Sequence, residues 1–352
     1  MTDWMIYGAT GYTGRLIAEA AVACGHRPLL AGRSAEKLKK LAQRLNLDYV
    51  VFRVDPIPDL KAYGVRLVLN CAGPFVNTAV PMQQACLAAG VHYLDITVET
   101  PVFERTLTFD AEARERGIVM MSGVGFDTIP ADCLASYVVE RVPDATSLEI
   151  MLDLRLLRGE LGFTSGTLKS IMGMLPAGIR VRRDGSPQSY DLGTHGKLFC
   201  FPDGPRRVVP VPCGDVCNIY HATGIPNITA YIALPDWAWF GLRYGGALAQ
   251  FALRSSALRH GLRLPIERLI HGPSEQRRHS VRALVGARAV NKHGHGAGAW
   301  LETSEPYRFS VSAALRTVEQ VLVRRLQGVL TPSMAFGADF VLGIDGARRW
   351  DS

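Results

Sequence analysis

The chain has 352 residues, of which 48% are hydrophobic and 20% are charged, a composition typical of globular proteins with a packed core. Its formal net charge of +7 comes mostly from arginines spread along the sequence, without a long basic run or aromatic residues interleaved with basic ones. We therefore expect no nucleic acid as a partner, because an anionic cofactor or substrate explains the positive charge equally well.

The length is sufficient for two domains. The seven cysteines are odd in number, several lie inside apolar runs, and no signal peptide precedes them, so we expect free thiols and a cytoplasmic location. Cys213 and Cys217 form a C-x3-C pair, but no second pair or spaced histidine pair accompanies it. We expect these two to be small buried side chains, and we predict no metal site.

The first 125 residues alternate between strand-like and helix-like segments. The strand-like runs are Trp4–Tyr7, Pro28–Ala31, Tyr49–Val54, Arg66–Cys71, His92–Ile96 and Ile118–Ser122. The helix-like segments are Thr13–Cys24, Ala35–Leu45, Val80–Ala89 and Val102–Arg116. Repeated β-α units of this length predict an α/β fold, with a Rossmann-type doubly wound parallel sheet over residues 1–125.

After Gly125 the pattern changes to strands separated by turn signals, with fewer helices between them. The strand-like runs are Ser147–Leu154, Gly178–Arg182, Lys197–Phe201, Arg206–Val211, Thr229–Leu234 and Ser280–Val290, and helical pieces lie near 165–175, 237–258 and 311–327. This pattern predicts a second α+β domain over 126–330, with a mixed, mainly antiparallel sheet that serves substrate binding and dimerisation. The tail "TPSMAFGADFVL" indicates a final helix over 331–345 that packs back on the first domain.

The segment Gly8-Ala9-Thr10-Gly11-Tyr12-Thr13-Gly14 follows the first strand and opens a helix. A helix N-terminus presents N–H groups and the positive end of its dipole, and both favour a pyrophosphate. The first glycine permits the tight turn, the second permits close approach of the backbone, and the third permits packing of helix on strand. The predicted cofactor-binding residues of this loop are Gly8, Thr10, Gly11, Tyr12, Thr13 and Gly14.

The end of the second strand indicates which dinucleotide is bound. A site for NAD places Asp or Glu there to bind the ribose 2′-hydroxyl, whereas this chain has Arg33, Ser34 and Lys37. An arginine fork and a hydroxyl suit a 2′-phosphate, and no carboxylate is present to repel it. The sequence thus predicts NADP(H) as the cofactor. A solvated arginine on a surface turn is the alternative interpretation of Arg33.

Small and turn-forming residues follow the fourth strand in "LNCAGPF". This position is the carboxyl edge of the sheet, where ligands lie in open α/β folds, so the loop is expected to line the cofactor groove. Asn77 and Thr78, which come next, are alternatively caps of the following helix. The residues predicted to bind the cofactor here are Asn70, Cys71, Ala72, Gly73 and Pro74.

The stretch 234–253, "LPDWAWFGLRYGGALAQFAL", is the most apolar of the chain, but Pro235, Asp236 and Arg243 interrupt it. It is too polar for a membrane-spanning helix. A buried or dimer-forming helix is one interpretation. Peripheral contact with a membrane, or binding of a lipid-like substrate, is the other, because tryptophan and phenylalanine settle at lipid interfaces.

Together these segments resemble the saccharopine dehydrogenase-like oxidoreductases, and the trans-acting enoyl reductases in particular. The matching stretches are "GATGYTG", "LAGRS", "LNCAGPF", "HYLDITVE", "GVGFDTIPADCLA", "GTLKS", "YHATGIPNITAY" and "TPSMAFGADF". Val98 stands where the family usually has a glycine before the glutamate. The resemblance implies an NADPH-dependent reductase that transfers hydride to an imine or to an activated carbon–carbon double bond of a small or lipid-like substrate.

Three carboxylates follow the fifth and sixth strands at the expected ligand edge: Asp95, Glu99 and Asp127. A carboxyl desolvated beside the nicotinamide has the chemistry of a general acid, so these are the candidate catalytic residues. Each could equally bind the cofactor amide, cap a helix or pair with an arginine. Asp127 precedes Thr128-Ile129-Pro130, a pattern typical of a helix start.

Other classes are less consistent with the sequence. A short-chain dehydrogenase requires a tyrosine with a lysine four residues later, and no tyrosine here has one; "GFTSG" carries threonine where a hydrolase would need its serine. A non-catalytic NADPH-binding sensor or scaffold is the alternative from a different functional class, because the cofactor pattern is clearer than any catalytic one. A homodimer is expected by analogy with two-domain oxidoreductases.

Overall fold

The computed structural model describes residues 3–154, 164–269, 273–276 and 281–352, and for residues 263–269 it describes the backbone only. The chain divides into two compact units. The first contains the residues up to Ile129 together with Tyr307–Ala335, and the second contains Pro130–Pro306 and Phe336–Ser352.

The first unit is built on a parallel sheet of seven strands. They are β1 Trp4–Tyr7, β2 Leu29–Gly32, β3 Tyr49–Val51, β4 Leu67–Asn70, β5 His92–Asp95, β6 Val119–Met121 and β15 Gly328–Val329. Their order in the sheet is β15-β6-β5-β4-β1-β2-β3. The sequence β3-β2-β1-β4-β5-β6 within it is the strand order of dinucleotide-binding folds, as the β-α repetition predicted.

Helices connect these strands and bury their apolar faces against the sheet. The helices of this unit are α1 Tyr12–Ala23, α2 Ala35–Leu45, α3 Phe75–Ala89, α4 Thr100–Leu107 and α5 Asp110–Glu115; α6 Thr128–Val139 and α11 Pro306–Val323 begin or end at its boundary. In α2, for example, Leu38, Leu41 and Ala42 are buried at the three- and four-residue spacing that brings side chains to one face.

The prediction of one helix over Val102–Arg116 is wrong, because the chain turns between α4 and α5. Thr108 donates its hydroxyl hydrogen to the carbonyl oxygen of Arg105 at 2.7 Å, which closes the last turn of α4. Phe109 then leaves the helical conformation and its ring is buried in the core. Burial of this ring outweighs the helical propensity of the segment.

The residues 307–330 were predicted in the second domain, whereas the structure groups Tyr307–Ala335 with the first unit. Strand β15 explains the difference, because it extends the parallel sheet beside β6. Val329 donates its N–H to Asp110 Oδ1 at 2.8 Å, so α5 also holds this strand. A two-residue strand carries almost no sequence pattern, so its partner is not visible from the sequence.

The second unit contains a mixed, mainly antiparallel sheet, as predicted. The strands are β7 Ala145–Asp153, β8 Ile179–Arg183, β9 Ser186–Tyr190, β10 Lys197–Phe201, β11 Gly204–Pro210, β12 Asn227–Leu234, β13 Arg282–Asn291, β14 Gly296–Ser304 and β16 Arg348–Asp351. The main path of the sheet runs β10-β11-β12-β7-β13-β14-β16, with β8 paired to β12 and to β9. Only the β12–β7 pair among these is parallel.

The helical segments after β7 differ from the prediction in three places, because the helix over Asp215–Thr223 was not predicted and two predicted helices have different bounds. They are α7 Ser165–Met174, α8 Asp215–Thr223, α9 Asp236–Leu253, α10 Ser256–Leu269 and α12 Pro332–Phe336. The helix predicted over 237–258 is divided into α9 and α10, and the predicted tail helix over 331–345 is reduced to the five residues of α12. After α12 the chain turns at Gly337, whose φ of +87° ends the helix, and continues through a short 3-10 turn into β16. Ser280, the first residue of a predicted strand, lies outside the described residues.

Helix α9 packs against the backbone around Leu192 through its smallest residue. A Cβ atom at Gly246 would lie 2.5 Å from the carbonyl oxygen of Leu192, so the two segments meet without room for a side chain. One turn later the buried Gln250 accepts a hydrogen bond on Oε1 from the Leu192 N–H at 2.9 Å. Both contacts fix which face of α9 points inward.

Two adjacent glycines of α9 provide a test of this packing. We expect Gly246→Ala to lower the free energy of unfolding by about 1–3 kcal/mol, because the added methyl overlaps the Leu192 carbonyl. Gly245→Ala is the matched control: its Cβ meets nothing within 4 Å, so the better helix propensity of alanine should raise stability by up to about 1 kcal/mol. Urea denaturation monitored by circular dichroism measures both. Equal effects of the two substitutions would contradict the described packing.

Candidate cofactor site

The loop between β1 and α1 is held by its own backbone and by the next strand. Gly8 has a φ of +82°, a conformation that L-residues rarely adopt, and its N–H donates to the Ala31 carbonyl oxygen at 2.9 Å. Gly11 donates its N–H to the carbonyl oxygen of Gly8 at 3.0 Å and is the cap residue of α1. The cap residue is a glycine, so it has no side chain to cover the positive end of the α1 dipole, which lies at the carboxyl edge of the sheet.

Two close contacts leave no room for side chains in this loop. A Cβ atom at Gly8 would lie 2.8 Å from the backbone nitrogen of Ala72, in the loop after β4. A Cβ at Gly14 would lie 2.4 Å from the Gly8 carbonyl oxygen. These contacts bring the loops after β1 and β4 together at the N-terminus of α1, where the backbone N–H groups of dinucleotide-binding folds hold a pyrophosphate; we call this backbone arrangement the glycine cradle. Thr10, Tyr12 and Thr13 of the same loop are half-buried.

Basic side chains gather at the carboxyl ends of β2 and β3. Arg33 and Lys37 are exposed after β2, where the sequence predicted a 2′-phosphate, and Ser34 is the cap residue of α2. Arg53, also exposed, follows β3 and was not predicted. Burial raises the pKa of the Tyr7 hydroxyl at the end of β1, and the charges of Arg33 and Arg53 counteract part of this rise. Both positive charges therefore lower the pKa of the same hydroxyl, that of Tyr7 at the carboxyl end of β1.

The loop after β4 is shaped by a buried amide. Asn70 accepts a hydrogen bond on Oδ1 from the Ala72 N–H at 3.0 Å, and its Nδ2 donates to Thr78 Oγ1 and to the Tyr93 hydroxyl, both at 3.3 Å. Thr78 in turn donates to the Ala72 carbonyl oxygen at 2.6 Å. Asn70 is fully buried, so these contacts give it the role of holding the loop in shape.

The remaining residues of this loop form its outer surface. Cys71, Ala72 and Pro74 are half-buried and Gly73 is exposed. Desolvation, with a smaller contribution from the Asp95 carboxylate, raises the pKa of the Cys71 thiol well above its ordinary value. The thiol is consequently uncharged at neutral pH, so Cys71 adds no negative charge to the loop.

Glu99 stabilises the start of α3. Its two carboxylate oxygens accept hydrogen bonds from the N–H groups of Phe75 and Val76, at 3.0 Å and 2.8 Å, and its side chain is almost fully buried. A carboxylate at a helix N-terminus is stabilised by the helix dipole and by these charge-assisted hydrogen bonds. Glu99 therefore anchors the helix that follows the Asn70 loop.

Asp95 lies at the centre of a buried polar network and has no exposed surface. Its Oδ1 accepts from the N–H groups of Thr97 and Gly123, and its Oδ2 accepts from the hydroxyls of Tyr93 and Ser122, at 2.8–2.9 Å. Burial raises the pKa of Asp95 to about 6, although all four hydrogen bonds act in the opposite direction. The carboxylate joins the ends of β5 and β6.

Asp127 lies beyond β6 and immediately before α6, and its side chain is half-buried. The preceding residue, Phe126, donates its N–H to Ser310 Oγ at 3.0 Å, and its ring lies edge to face against Phe309 of α11. Helix α11 therefore fixes the backbone at Phe126. Of the three candidate carboxylates, Asp127 is the one whose side chain is partly exposed, whereas Asp95 and Glu99 are buried.

The structure brings the predicted cofactor residues to one edge of the parallel sheet, at the ends of β1, β2 and β4. Arg53 was missed although the same rule, a cation at the carboxyl end of a strand, would have found it. The structural roles of Asn70, Asp95 and Glu99 depend in part on partners 8 to 28 residues away, such as Thr78, Gly123 and Phe75, and had no sequence signal.

Two further features concern the described part of the chain. No group of three or more His, Cys, Asp or Glu residues in it is arranged to hold a metal ion. Cys213 is half-buried and Cys217 is buried. Among the helices of those same residues, none combines the length and the apolar content needed to cross a membrane.

Comparison with known proteins identifies the first unit. Residues 4–121 match the saccharopine dehydrogenase NADP binding domain, a segment that contains β1 to β6 and every predicted cofactor-binding residue. Saccharopine dehydrogenase (L-Glu forming) from Saccharomyces cerevisiae has the same fold over its full length, with a TM-score of 0.66 and 12% identity over 100% of both chains.

Curated relatives extend the similarity beyond this domain. A putative trans-acting enoyl reductase of Mycobacterium tuberculosis is 30% identical over 272 residues, which cover 69% of this chain and 63% of that protein. The saccharopine dehydrogenase-like oxidoreductase of Mus musculus is 30% identical over 189 residues, 47% of this chain and 44% of that protein. The chain thus spans less than two thirds of the length of these relatives. The chain therefore contains a saccharopine dehydrogenase NADP binding domain, and it is similar in sequence to trans-acting enoyl reductases and to saccharopine dehydrogenase-like oxidoreductases.

Proposed function

We propose that the chain uses NADPH to reduce an activated carbon–carbon double bond of an enoyl substrate. The observation that carries this proposal is the glycine cradle at α1 with arginines at the ends of β2 and β3. Relatives named trans-acting enoyl reductases support the enoyl class over the imine class. Within the enoyl class we propose a small or lipid-like substrate.

In this proposal the protein binds and orients, and bound NADPH supplies the hydride. The backbone around Gly8, Gly11 and Gly14 would hold the pyrophosphate, because side chains are absent where the cofactor must approach. Arg33 and Arg53 would hold the 2′-phosphate with charge-assisted hydrogen bonds. The loop 71–74, fixed by Asn70, would line the groove toward the nicotinamide.

Addition of hydride to one carbon of the double bond requires a proton for the other. Asp95 and Glu99 are less suited to supply it, because their side chains are 0% and 2% exposed and so lie out of reach of a bound substrate. Asp127 is half-buried at the same sheet edge, and we propose it as the proton donor. A partly desolvated carboxyl can hold a proton near neutral pH.

The cofactor site is tested by calorimetric titration with NADPH and, separately, with NADH. We expect Arg33→Ala and Arg53→Ala each to weaken NADPH binding at least about tenfold, since each removes a charged hydrogen-bond partner of the 2′-phosphate. NADH, which lacks this phosphate, should bind both variants as it binds the unaltered protein.

Arg44→Ala is the control for loss of a positive charge. Arg44 is exposed on α2 and pairs with Glu19, so its removal should leave NADPH binding unchanged. Equal weakening of NADPH binding by all three substitutions would show that Arg33 and Arg53 act only through the net positive charge of the protein, without contact to the 2′-phosphate. Failure of the unaltered protein to bind either nucleotide would overturn the proposed site.

The reaction is tested with NADPH that carries deuterium at the transferred position. With an enoyl thioester as acceptor, we expect loss of nicotinamide absorbance and a product that contains one deuterium at its β-carbon, found by mass spectrometry. Oxidation with imines alone would change the substrate class. Tight binding of NADPH without oxidation by either acceptor would favour a sensor or scaffold.

Substitution of Asp127 by asparagine keeps the shape of the side chain but removes its proton. We expect kcat to fall about 10²- to 10⁴-fold, the usual contribution of a general acid, while the affinity for NADPH stays the same. The steady-state rate and the calorimetric titration measure these separately. An unchanged kcat would exclude Asp127 as the proton donor.

The buried carboxylate of Asp95 predicts a pH dependence of stability. Its folded pKa of about 6 lies above the ordinary 3.8, so its contribution to stability is fully present below about pH 4 and is lost as the pH rises through 6. The Asp95→Asn variant would keep the acceptor for Thr97 and Gly123 without the charge. We therefore expect the unfolding free energy of this variant, relative to the unaltered protein, to increase by about 2 kcal/mol between pH 4 and pH 7.

Urea denaturation at a series of pH values gives this difference directly. Only the change with pH matters, because any fixed cost of the substitution is the same at each pH. A difference that stays constant between pH 4 and pH 7 would show that Asp95 titrates normally in the folded protein.

A further inference from the structure

Helix α9 presents a continuous row of large apolar side chains to solvent. The spacing along this row is three or four residues, so its members lie on one helical face. They are 71% (Trp237), 46% (Phe240), 82% (Tyr244), 73% (Leu248) and 69% (Phe251) exposed. We call these five residues the apolar row of α9.

The opposite face of the same helix already packs against the rest of the second unit, so the apolar row is the side of α9 that faces solvent. Gly246 lies against the Leu192 backbone, and the Gln250 side chain accepts from the Leu192 N–H. At the start of the helix Asp236 pairs with Arg207, whose guanidinium lies 4.5 Å from the centroid of the Trp239 ring. These contacts hold the apolar row outward.

The next helix also exposes apolar side chains. Leu258 and Leu262 of α10 are 42% and 37% exposed, which adds aliphatic surface after the end of α9. Exposed apolar surface of this extent on one element usually marks an interaction site, because a monomeric protein gains nothing from leaving it in water.

The charged residues within the stretch that carries the apolar row have one sign, and the nearest acidic residues in sequence are Asp236, which pairs with Arg207, and Glu267. Residues 237–266 contain four arginines and a histidine but no aspartate or glutamate. Arg243 and Arg254, both on or next to α9, are exposed. A helix with tryptophan, phenylalanine and leucine on one side and arginines beside them has the composition of helices that lie in the surface of a bilayer.

We propose that the apolar row of α9 binds the surface of a bilayer that contains anionic lipids. The aromatic rings would enter the boundary between headgroups and acyl chains, and Arg243 and Arg254 would contact the lipid phosphates. A second copy of the chain fits this surface less well. A symmetric contact would bring the same arginines together, with no acidic residue in 237–266 to pair with them.

Binding is tested by co-sedimentation of the full chain with vesicles. We use vesicles of phosphatidylcholine alone and vesicles in which phosphatidylglycerol replaces part of it. We expect clear binding to the second kind only, and weaker binding as the salt concentration rises, because the lipid charge is screened. The triple variant Tyr244→Ser, Leu248→Ser, Phe251→Ser should bind at least about thirtyfold more weakly, since it loses three apolar side chains that would be buried in the bilayer.

The matched control is Val323→Ser, a change at a residue that is 76% exposed at the end of α11, outside the apolar row. It should leave vesicle binding unchanged. Circular dichroism of the triple variant verifies that it is folded, and the altered side chains are exposed, so we expect no loss of structure.

Tryptophan fluorescence gives a second, independent measurement. Trp237 is exposed in solution, whereas Trp239 and Trp350 are half-buried and Trp4 and Trp300 are buried, so entry into the bilayer should move the emission to shorter wavelength mainly through Trp237. Trp237→Phe should remove most of this shift while vesicle binding persists.

Three results would overturn the proposal. One is the absence of binding to anionic vesicles, and another is equal binding by the triple variant. The third is a dimer, found by analytical ultracentrifugation, that the triple variant abolishes, which would assign the apolar row to a second copy. None of these results depends on NADPH binding or on reductase activity, so the proposed function is tested separately.

Discussion

The loop after β1 and the loop after β4 meet at a point where neither has room for a side chain. Gly8, with a positive φ, lies against the backbone of Ala72, and Gly14 lies against Gly8. This contact sets the distance between the start of α1 and the loop that begins at Asn70. The shape of the proposed cofactor cradle depends on it, because any Cβ at these positions would push the two loops apart.

Buried acceptors keep this edge of the sheet rigid. Asn70 shapes the loop after β4, Glu99 anchors the start of α3, and Asp95 joins the segments after β5 and β6. Each satisfies backbone N–H groups that would otherwise be buried without partners, which is costly in a protein interior. Asp95 and Glu99, which lie where catalytic carboxylates were expected, therefore stabilise the loops around the site. The proposed proton donor is the less buried Asp127.

Helix α9 of the second unit differs from the helices of the first unit in where it places its apolar side chains. In the first unit, helices bury apolar faces against a parallel sheet. In the second, α9 turns a glycine and a glutamine inward and leaves its aromatic residues in solvent. Hydrophobicity alone predicted that the 234–253 stretch would be significant, but it left open whether the helix was buried or exposed. The close contact at Gly246 decided this.

The sequence by itself determined the order of strands and helices in the first 125 residues and the positions of the glycine loop and of Arg33, because these follow from local periodicity and from residues next to one another in the chain. Only the tertiary structure decided where Tyr307–Ala335 belongs, what Asp95 and Glu99 contact, and which face of α9 is outside. Those features depend on pairs of residues far apart in sequence, such as Val329 with Asp110, and a short strand or a single buried carboxylate has no periodic pattern to reveal its partner.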